Sequence, residues 1–594
     1  MVPSVPDRLL EVDLTSGTVG WESIPTRWTT RFLGGKGLGA RYLYDAVGPE
    51  TAPLSPENVL LLLVGPLTGY LPDDGRFAAV TKSPLTGLFL DSYAGGSFGP
   101  ALRAAYPKAA GVVITGSSDT VHALDIRNGR LELLPADDLA GATTDEVDDA
   151  YPDDVVLCVG PAGEAGITFA TIASDGGDHH AGRGGAGAVM GTKGLKAIIL
   201  DDATPEPPNE GIEQLRDETR TAFAASAYGK AYQSVGTLET VEVADELSML
   251  PTRGWQEREF DGAGELGIEA VESSAEDREA TDDTFPGDYR VEVDEYETVI
   301  RGGTPIALGA GLGLDDFDAV STLGAACDRL GIDVISAGNA VALAILASNT
   351  GTIDRSLSFG EREQASELLE EIAYRSTPLG DTLAQGAAEA GAQLGLHDAI
   401  PTVKAMAVPS YDPRGAPAMA LAYATSDRGA CHRRSVPATV EAFRGEASPR
   451  SIAQEIIREQ DRRALHWCLI VDDVTDPMIG DLGRRWLDAV GLSIDTDELA
   501  RIGTRTWTMT RLFNVREGVD RAADSLPDLF ELDPNGIDRA EFNRTLDHYY
   551  DLREWNSNGM PTPALLNRLG LDAIAADIIP EGESVSATQT DAAE

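Results

Sequence analysis

Residues 179–198, HHAGRGGAGAVMGTKGLKAI, combine many glycines with one arginine and two lysines in a chain that is otherwise strongly acidic. Glycine lets backbone N–H groups approach a phosphate closely, and arginine or lysine adds charge-assisted hydrogen bonds. Three other stretches share this composition: GGKGLGA (34–40), TKSPLTG (81–87) and DSYAGGSFGP (91–100). Tight β-turns would explain the glycines of any one stretch equally well, but the four stretches together favour a bound anion.

Neither common phosphate signature accounts for these loops. The motif GxxxxGK[ST] is absent, and no GxGxxG lies between a strand and a helix with an acidic residue at the right distance. Lysine is rare in this chain, yet four lysines lie in these loops: Lys36, Lys82, Lys193 and Lys196. The sequence therefore predicts that several loops together hold one large phosphorylated cofactor.

The formal net charge of -50 at pH 7 argues against binding to nucleic acid or to an anionic membrane. Acidic excess spread along a whole chain is typical of halophilic proteins, because a salt-rich cytoplasm screens the self-repulsion. No apolar run is long enough to span a membrane and no signal peptide is evident, so we expect a cytoplasmic protein. The four cysteines show no CxxC spacing, which argues against a disulfide framework.

The chemistry-bearing loops lie in the part of the sequence that favours β-structure. Before about residue 205, short runs such as VLLLLVG and DVVLCVG alternate with turn residues. Afterwards apolar residues recur at three- and four-residue spacing, which predicts helices. We therefore predict an α+β fold with no evident internal repeat: an N-terminal β-rich cofactor-binding domain (1–204), then two mostly helical domains (205–400 and 401–594), with a loose tail from about residue 581.

Motifs along nearly the whole chain follow one another in a fixed order: GGKGLGARYLYD, GRFAAVTKSPLTGLFLDSYAGGSFGP, HAGRGGAGAVMGTKGLKAI, DEYET, YDPRG, YATSDRGACH and LDHYYDLREWNSNGMPTPALLNRLGL. In order and spacing these motifs resemble those of the aldehyde:ferredoxin oxidoreductase family. The resemblance implies a tungsten or molybdenum ion held by the dithiolenes of two pterins, and oxidation of an aldehyde to a carboxylic acid. It further implies ferredoxin or another carrier as electron acceptor, and homodimers are common in the family.

The same resemblance assigns the cofactor contacts. A magnesium ion is expected to bridge pterin phosphates near the carbonyls of Ala94 and Ala181. Residues 328–333, DRLGID, match a pterin-reading DxxGLD motif with one conservative change, although a helix end closed by glycine explains the same spacing. The full set carried over is Lys36, Arg76, Lys82, Ser92, Tyr93, Ala94, Gly95, Gly96, Ala181, Arg183, Gly184, Gly185, Asp328, Gly331, Ile332 and Asp333.

Two residues are predicted to be catalytic on the strength of the resemblance. Glu297 in EYET and His432 in RGACH match a family glutamate and histidine beside the metal. Aldehyde oxidation moves protons as well as electrons, so a carboxylate and an imidazole suit the reaction. Without the resemblance, Glu297 would be interpreted as a surface residue and His432 equally well as part of a polar loop. The alternative is a protein that binds the cofactor without turning over aldehydes.

The sequence departs from the family at the four-iron, four-sulfur cluster. Typical members use a CxxCxxxC run shortly before the EYET-like segment and a fourth cysteine in a later DxxGLC motif. Here the first segment has no cysteine, and residues 463–468, RALHWC, keep only Cys468 as a cluster-ligand position. Carboxylates such as Asp282 and Asp283 are poor substitutes for thiolates. We therefore predict that the cluster is absent and that Arg76, which lies between pterin and cluster in the family, contacts only the pterin.

Overall fold

The first third of the chain forms two six-stranded sheets. The computed structural model describes residues 6–72, 75–237, 239–275, 277–278, 287–435, 447–531 and 536–578. The strands are β1 (Arg8–Asp13), β2 (Thr18–Ser23), β3 (Leu60–Leu63), β4 (Phe77–Lys82), β5 (Phe89–Ala94), β6 (Ala109–Thr115), β7 (His122–Ile126), β8 (Glu132–Pro135), β9 (Asp154–Cys158), β10 (Ile172–Ser174), β11 (His179–Ala181) and β12 (Leu195–Asp201).

The two sheets have the same topology. The first has the order β2-β1-β6-β3-β4-β5, and the second has β8-β7-β12-β9-β10-β11. In each sheet the second and third strands are parallel and all other neighbours are antiparallel. The expectation of no internal repeat is therefore wrong at the level of structure. The sequence retains obvious traces of this duplication only in VGP at 64–66 and 159–161 and in the dipeptide AG at 94–95 and 181–182.

Alternating side chains give each sheet its buried faces. In β3, Leu60 and Leu62 belong to a core shared with Leu157 and Ile198 of the second sheet. Leu61, one residue away on the other face, belongs to the large core that includes the helical part. This period of two places the N-terminal sheets against each other on one side and under the helices on the other.

Short helices lie between the strands, and the longer helices lie after β12. Those of the described residues are α1 (Thr26–Phe32), α2 (Gly35–Ala46), α3 (Phe98–Ala105), α4 (Thr144–Asp149), α5 (Pro161–Glu164), α6 (Ala186–Thr192), α7 (Glu210–Ala225), α8 (Ala227–Val235), α9 (Glu239–Glu246), α10 (Ile268–Ser274), α11 (Phe317–Leu330), α12 (Val334–Asn349), α13 (Arg362–Ala373), α14 (Pro378–Leu383), α15 (Ala387–Gln393), α16 (Pro417–Thr425), α17 (Pro449–Leu469), α18 (Arg484–Ala489), α19 (Thr496–Arg516), α20 (Arg539–Arg553) and α21 (Pro563–Leu569).

Small sheets interrupt the helical part. They are formed by β13 (Asp277–Arg278), β14 (Tyr289–Val293) and β15 (Tyr296–Ile300), and by β16 (Thr402–Val403) and β17 (Met406–Ala407). The predicted α+β class is confirmed, with mixed sheets first and mostly helices afterwards. The domain limits at 204 and 400 stay predictions, and the tail from 581 lies outside the described residues. Across the described ranges, no helix has the length and apolar character needed to cross a membrane.

Candidate cofactor site

Strand ends bring the predicted glycine-rich loops together. Phe77, the first residue of β4, pairs with Ala94 at the end of β5. Ser92 Oγ donates a hydrogen bond to the carbonyl of Gly182, just after β11. Arg76 directly precedes β4. The loop after β5 (94–97), the loop after β11 (181–185) and Arg76 therefore lie at one edge shared by the two sheets, as residues that hold one ligand must.

Left-handed backbone angles and close neighbouring atoms explain two glycines of these loops. Gly96 has a φ of 90°, and a Cβ placed on it would lie 2.0 Å from Asp175 Oδ2. Gly185 has a φ of 84°, and a Cβ there would lie 2.2 Å from the carbonyl oxygen of Thr168. Glycine is required at both positions. The Ser97 N–H, at the start of α3, donates to Asp175 Oδ2 at 3.0 Å, so a carboxylate already caps this helix end.

Arg183 is the buried cation of this edge. It is 5% exposed, and its guanidinium donates to the carbonyl of Ala430 at 2.9 Å and to that of Ala407. Its Nε lies 3.8 Å from Asp333 Oδ2 and has no hydrogen-bond partner. Burial lowers the pKa of Arg183, but a guanidinium stays charged in proteins. An unsatisfied buried donor costs about 1–3 kcal/mol, so Nε is a candidate contact for a bound group.

The DRLGID motif forms a helix end facing the same edge. α11 ends at Leu330, and Gly331 takes the left-handed conformation with a φ of 71°. A Cβ on Gly331 would lie 2.9 Å from the Gly160 nitrogen, so the close approach of backbone also favours glycine. Ile332 forms an isolated antiparallel β-bridge with Ala170, two residues before β10. The helix-end interpretation of the motif is therefore correct, and it is compatible with a ligand contact by either carboxylate.

The two aspartates of DRLGID have different neighbours. Asp328 accepts a hydrogen bond from Thr298 Oγ1 at 2.8 Å, and its other oxygen lies 3.4 Å from His180 Nε2. Asp333 caps α12 by accepting the Ser336 N–H at 2.8 Å, beside Arg183. Both carboxylates thus lie close to the loop that follows β11.

His432 lies among buried cations on the helical side of the site. Burial, together with Arg433, Arg183 and Arg428, lowers the pKa of His432 to about 3, so the imidazole is neutral at physiological pH. Its Nδ1 has no hydrogen-bond partner. The Tyr411 ring packs edge-on against it with 6.0 Å between ring centroids. A neutral imidazole with an unpartnered nitrogen is able to hydrogen-bond to a ligand or a water.

Cys431 is a residue of this site that sequence reasoning missed. It is 1% exposed, and Arg428 Nη2 donates to its Sγ at 3.1 Å. Burial opposes ionisation, but Arg428, Arg434 and Arg183 outweigh it and lower the pKa of the Cys431 thiol to about 7. The signal was present in RGACHRR, where three arginines flank one cysteine within seven residues.

The structure does not place Glu297 with His432. Glu297 lies on β15 with its side chain 65% exposed, and its carboxylate accepts a hydrogen bond from Arg290 Nη1 at 3.2 Å. Arg290 also pairs with Asp178, in the turn before β11. The prediction of Glu297 as a catalytic carboxylate beside the metal stays a prediction; in this structure solvent reaches the carboxylate and an arginine of the same hairpin holds it.

We expect Glu297→Gln to keep aldehyde oxidation within about fivefold of the parent rate, because an exposed ion pair contributes at most about 1 kcal/mol. Dye reduction with aldehyde as donor, at equal metal content, measures this. Arg290→Gln, which removes the other half of the pair, is the matched control. A loss of a hundredfold confined to Glu297→Gln would show that the carboxylate takes part in the chemistry.

The four lysines of the glycine-rich loops have protein partners in this structure, and their predicted phosphate contacts stay predictions. Lys36 Nζ lies 3.1 Å from Asp91 Oδ2 and 2.5 Å from Asp427 Oδ2, and Lys82 Nζ lies 2.6 Å from Glu517 Oε2. A buried ammonium group requires such partners, and these lysines use them to join the two halves of the chain. Lys193 and Lys196 likewise donate to protein groups, namely the carbonyls of Pro56, Gly116 and Ala142 and the carboxylate of Glu164.

Tyr93 belongs to the same buried network. Its hydroxyl donates to Asp91 Oδ2 at 2.6 Å, and its ring stacks on Trp467 with 5.5 Å between centroids. Arg434 pairs with both Asp91 and Asp427. We call the four charged side chains of this network, Lys36, Asp91, Asp427 and Arg434, the central charged cluster. The sequence did not predict a role for its two aspartates.

Cys468 is a packing residue in this structure. Its Sγ donates to the Ala464 carbonyl at 3.0 Å and lies 3.4 Å from Thr506 Oγ1. A Cβ on Gly37 would lie 2.9 Å from that sulfur. Burial raises the pKa of the Cys468 thiol to about 11, so it stays protonated. The thiol is thus enclosed between α2, α17 and α19 and is a poor ligand for a cluster.

The helix end that corresponds to the late family motif lies four residues beyond the predicted one. α17 continues through 463–468 and ends at Leu469, after which Ile470 is left-handed. The residues in the same geometry as DRLGID are therefore 467–472, WCLIVD. In this register Asp472, rather than Cys468, takes the place of the terminal cysteine. Arg76 Nε forms an ion pair with Asp472 Oδ2, a partner that the sequence did not predict.

The residues of the edge fit a pterin cofactor with phosphate groups. Arg183 Nε, Arg428 Nε and His432 Nδ1 have no hydrogen-bond partner, and neither has Ser174 Oγ beside Gly96. Guanidinium groups and glycine-lined backbone suit phosphate, whereas carboxylates suit the N–H donors of a pterin ring. The donor set at this edge therefore matches both ends of such a molecule.

The fold is shared with a solved structure. The active site complex BamBC of benzoyl coenzyme A reductase, in complex with 1,5 dienoyl-CoA, has a TM-score of 0.85 to this chain. The similarity covers 98% of this chain and 99% of that chain at 23% sequence identity. The architecture of two sheets under a helical part is therefore an established fold class.

Family comparisons specify the class further. The family model "Aldehyde ferredoxin oxidoreductase, N-terminal domain" matches residues 9–202, and "Aldehyde ferredoxin oxidoreductase, domains 2 & 3" matches residues 214–571. The chain belongs to the aldehyde ferredoxin oxidoreductase family, whose members are oxidoreductases.

Similar curated proteins differ in their substrates. Tungsten-containing aldehyde ferredoxin oxidoreductases of Thermococcus kodakarensis and Pyrococcus furiosus are each 32% identical to this chain, over 95% of it and 98% of the relative. The WOR-like subunit of an aliphatic sulfonate oxidoreductase from Pyrococcus furiosus is 24% identical over 95% of this chain and 96% of the relative.

Proposed function

We infer that this protein oxidises an aldehyde to a carboxylic acid at a tungsten or molybdenum centre held by two pterins, and passes the electrons to ferredoxin or another carrier. The observation that supports this most is the buried cationic edge on which both copies of the sheet meet. It occurs in a chain that is 32% identical, over 95% of its length, to a tungsten-containing aldehyde ferredoxin oxidoreductase.

Residues of the edge would hold the cofactor. Arg183 and the glycine-lined loops 94–97 and 181–185 would contact phosphate, with magnesium near the carbonyls of Ala94 and Ala181. Asp328 and Asp333 would accept hydrogen bonds from a pterin ring. When bound, the metal and its pterins supply the acceptor for the two electrons of RCHO + H₂O → RCOOH + 2 H⁺ + 2 e⁻.

His432 is the residue we assign to proton handling. Water adds its oxygen to the aldehyde carbon, and two protons must leave the site as the acid forms. The neutral imidazole offers Nδ1 to orient the water or to accept a proton from it. Arg428 and Arg183, whose charges lower the pKa of His432, would also favour a carboxylate product bound beside it.

The family's iron–sulfur cluster is proposed to be missing from this chain. A cubane needs thiolate ligands, usually four, and the chain has four cysteines in all. All four are buried in separate surroundings: Cys158 donates to Thr144 O, Cys327 lies in the core on α11, Cys431 lies among arginines and Cys468 packs on α2. Asp282 and Asp283 lie outside the described residues. An external carrier would then take electrons close to the pterins.

We expect purified protein to contain about one tungsten or molybdenum and two pterins per chain, with no stoichiometric iron. Elemental analysis, pterin release and labile-sulfide assay of anaerobically purified protein measure this, in a host that assembles the cofactor. A chain with neither metal would contradict the proposed function. About four irons per chain with matching sulfide would contradict only the proposal that the cluster is missing, and not the proposed function.

The aldehyde itself is open to a direct assay. A panel of aliphatic, aromatic and sugar-derived aldehydes with an artificial acceptor identifies the class, and relatives with other substrates make a sulfonate a useful additional donor. A loaded protein that reduces no dye with any aldehyde would favour the non-catalytic alternative, a pterin-binding member without turnover.

A further inference from the structure

Arg428 is a buried cation without a carboxylate partner among the described residues. It is 5% exposed, and its Nε is buried with no hydrogen-bond partner. Its Nη1 donates to the Asp91 carbonyl at 2.7 Å, and its Nη2 donates to Cys431 Sγ at 3.1 Å. A buried charge requires a counter-charge. Of the two atoms that accept from this guanidinium, the sulfur is the one able to carry it.

The neighbouring buried cations already have carboxylates of their own. In the central charged cluster, the lysine and the arginine are matched by two aspartates. Arg183 has Asp333 at 3.8 Å. With Arg428, these groups give four cations (Lys36, Arg183, Arg428 and Arg434) and three carboxylates (Asp91, Asp333 and Asp427). A thiolate at Cys431 would complete the balance.

The surroundings of Cys431 favour its ionised form. The charged and titratable groups that face the sulfur are Arg428 and Arg434 on its own segment, Arg183 after β11 and Tyr423 on α16. The three arginines outweigh burial and lower the pKa of the Cys431 thiol to about 7. Burial raises the pKa of Tyr423 well above its usual value, so the phenol stays neutral. Burial also raises the pKa of the other three cysteines, so ionisation is specific to Cys431.

The Cys431 side chain acts through Arg428 rather than on the reacting groups. Cys431 has extended backbone angles (φ −142°, ψ 118°), so its side chain and that of His432 leave the segment on opposite sides. The sulfur and the Asp91 carbonyl anchor two corners of the planar guanidinium. The third corner, Nε, is thereby held in one direction.

We propose that Cys431 is a thiolate that serves as the counter-charge of Arg428 and limits how tightly the site holds the carboxylate product. This rests on the proposed function, since an acid must form beside Arg428 and Arg183 and then leave. An Arg428 without a counter-charge would bind a carboxylate tightly and delay its release. The negative sulfur keeps the guanidinium oriented and offsets part of its field. Cys431 is thus a positioning residue.

The charge of Cys431 is measured by infrared spectroscopy of the metal- and pterin-loaded protein, because only a protonated thiol gives an S–H stretching band. At pH 8, Cys431→Ser should leave the area of this band unchanged. The matched control Cys158→Ser removes another buried cysteine, whose pKa is raised to about 12, and should lower the area by about one third. In the parent, the area should grow by about one third as pH falls through 7.

Equal losses of band area in the two variants at pH 8 would overturn the proposal. A parent band that stays constant as pH falls through 7 would overturn it without the need for any variant.

The role in product binding predicts a gain of affinity, which damage to the fold would not produce. Acetate, as a carboxylate probe, should inhibit aldehyde-dependent dye reduction by Cys431→Ser about tenfold more strongly than by the parent. This is the order expected when one nearby charge is removed at an effective dielectric constant of about 20. Inhibition by acetamide, the neutral isostere, and the KM for the aldehyde should stay at the parent values.

Cys431→Asp returns a negative charge and should restore parent-like inhibition by acetate. The parent should approach Cys431→Ser below pH 7, since its thiolate takes up a proton there. Equal inhibition of the parent and Cys431→Ser, including no inhibition of either, would overturn the role in product release. A loaded protein that oxidises no aldehyde would instead overturn the proposed function, and its S–H band would still decide whether Cys431 carries the charge.

Discussion

Replacing His432 by alanine should lower aldehyde oxidation by about 10² to 10⁴, the range that a positioned acid or base contributes, while tungsten and pterin stay bound. The expected loss is large because Nδ1 is a buried, unpartnered nitrogen beside Arg183 and Arg428. The rate constant for aldehyde-dependent dye reduction, normalised to metal content, measures it.

His432→Gln is the sharper variant for assigning the role. Its amide is able to hydrogen-bond but not to carry a proton, so it should recover orientation without proton transfer. We expect it to lie between the parent and His432→Ala. Parent-like turnover by His432→Ala at full metal loading would remove His432 from the mechanism.

The charge state of His432 adds a pH dependence with a definite sign. Burial and three arginines hold the pKa of His432 in the folded protein at about 3, below the unfolded value of about 6.5. As pH falls below that value, unfolded chains bind a proton that the folded apo-protein does not. This residue therefore destabilises the folded state progressively between pH 6.5 and 3.

Part of the site was predictable because its chemistry is local in sequence. The glycines that allow a phosphate to approach the backbone also allow left-handed turns of the chain. Glycine-rich sequence therefore marks loops 94–97 and 181–185 directly. The helix end at 328–333 was found because Gly331 and Asp333 mark it directly. The two-part order of sheets and helices followed from periods of two and of three to four residues.

Other parts depend on tertiary packing and leave weak traces. Lys36 lies among glycines, but a Cβ on Gly35 would lie 2.1 Å from the Trp467 carbonyl oxygen, so the glycine serves helix packing rather than phosphate. Asp472 was missed because WCLIVD shares almost no letters with DRLGID, whereas the dihedral angles of Ile470 and Gly331 agree. The duplication of the sheets was missed for the same reason.

The central charged cluster explains how the sheet edge is attached to the helical part. Lys36 and Asp91 belong to the N-terminal third, and Asp427 and Arg434 follow α16. All four side chains are at most 3% exposed. The cluster thus has two cations and two anions, with Arg434 stacked 4.3 Å above the Trp467 ring. Balanced charge is what makes such burial tolerable.

We expect Asp427→Asn to destabilise the protein by about 3–5 kcal/mol, because removing one partner leaves an uncompensated buried charge. The midpoint of urea unfolding and the unfolding rate measure this. Lys36 and Arg434 hold the pKa of Asp427 below its usual value despite burial. Asp427 therefore stabilises the parent above pH 3.8 and less as pH falls further, and this acid dependence should be weaker in the variant.

The double variant Lys36→Met with Asp427→Asn separates charge balance from the loss of one contact. It removes one cation and one anion and leaves Arg434 paired with Asp91. We expect it to be more stable than either single variant, because buried pairs are often replaceable whereas half-pairs are not. If the two single losses simply add in the double variant, the charges do not act as one cluster, and the attachment of sheet edge to helices depends on packing around Trp467 instead.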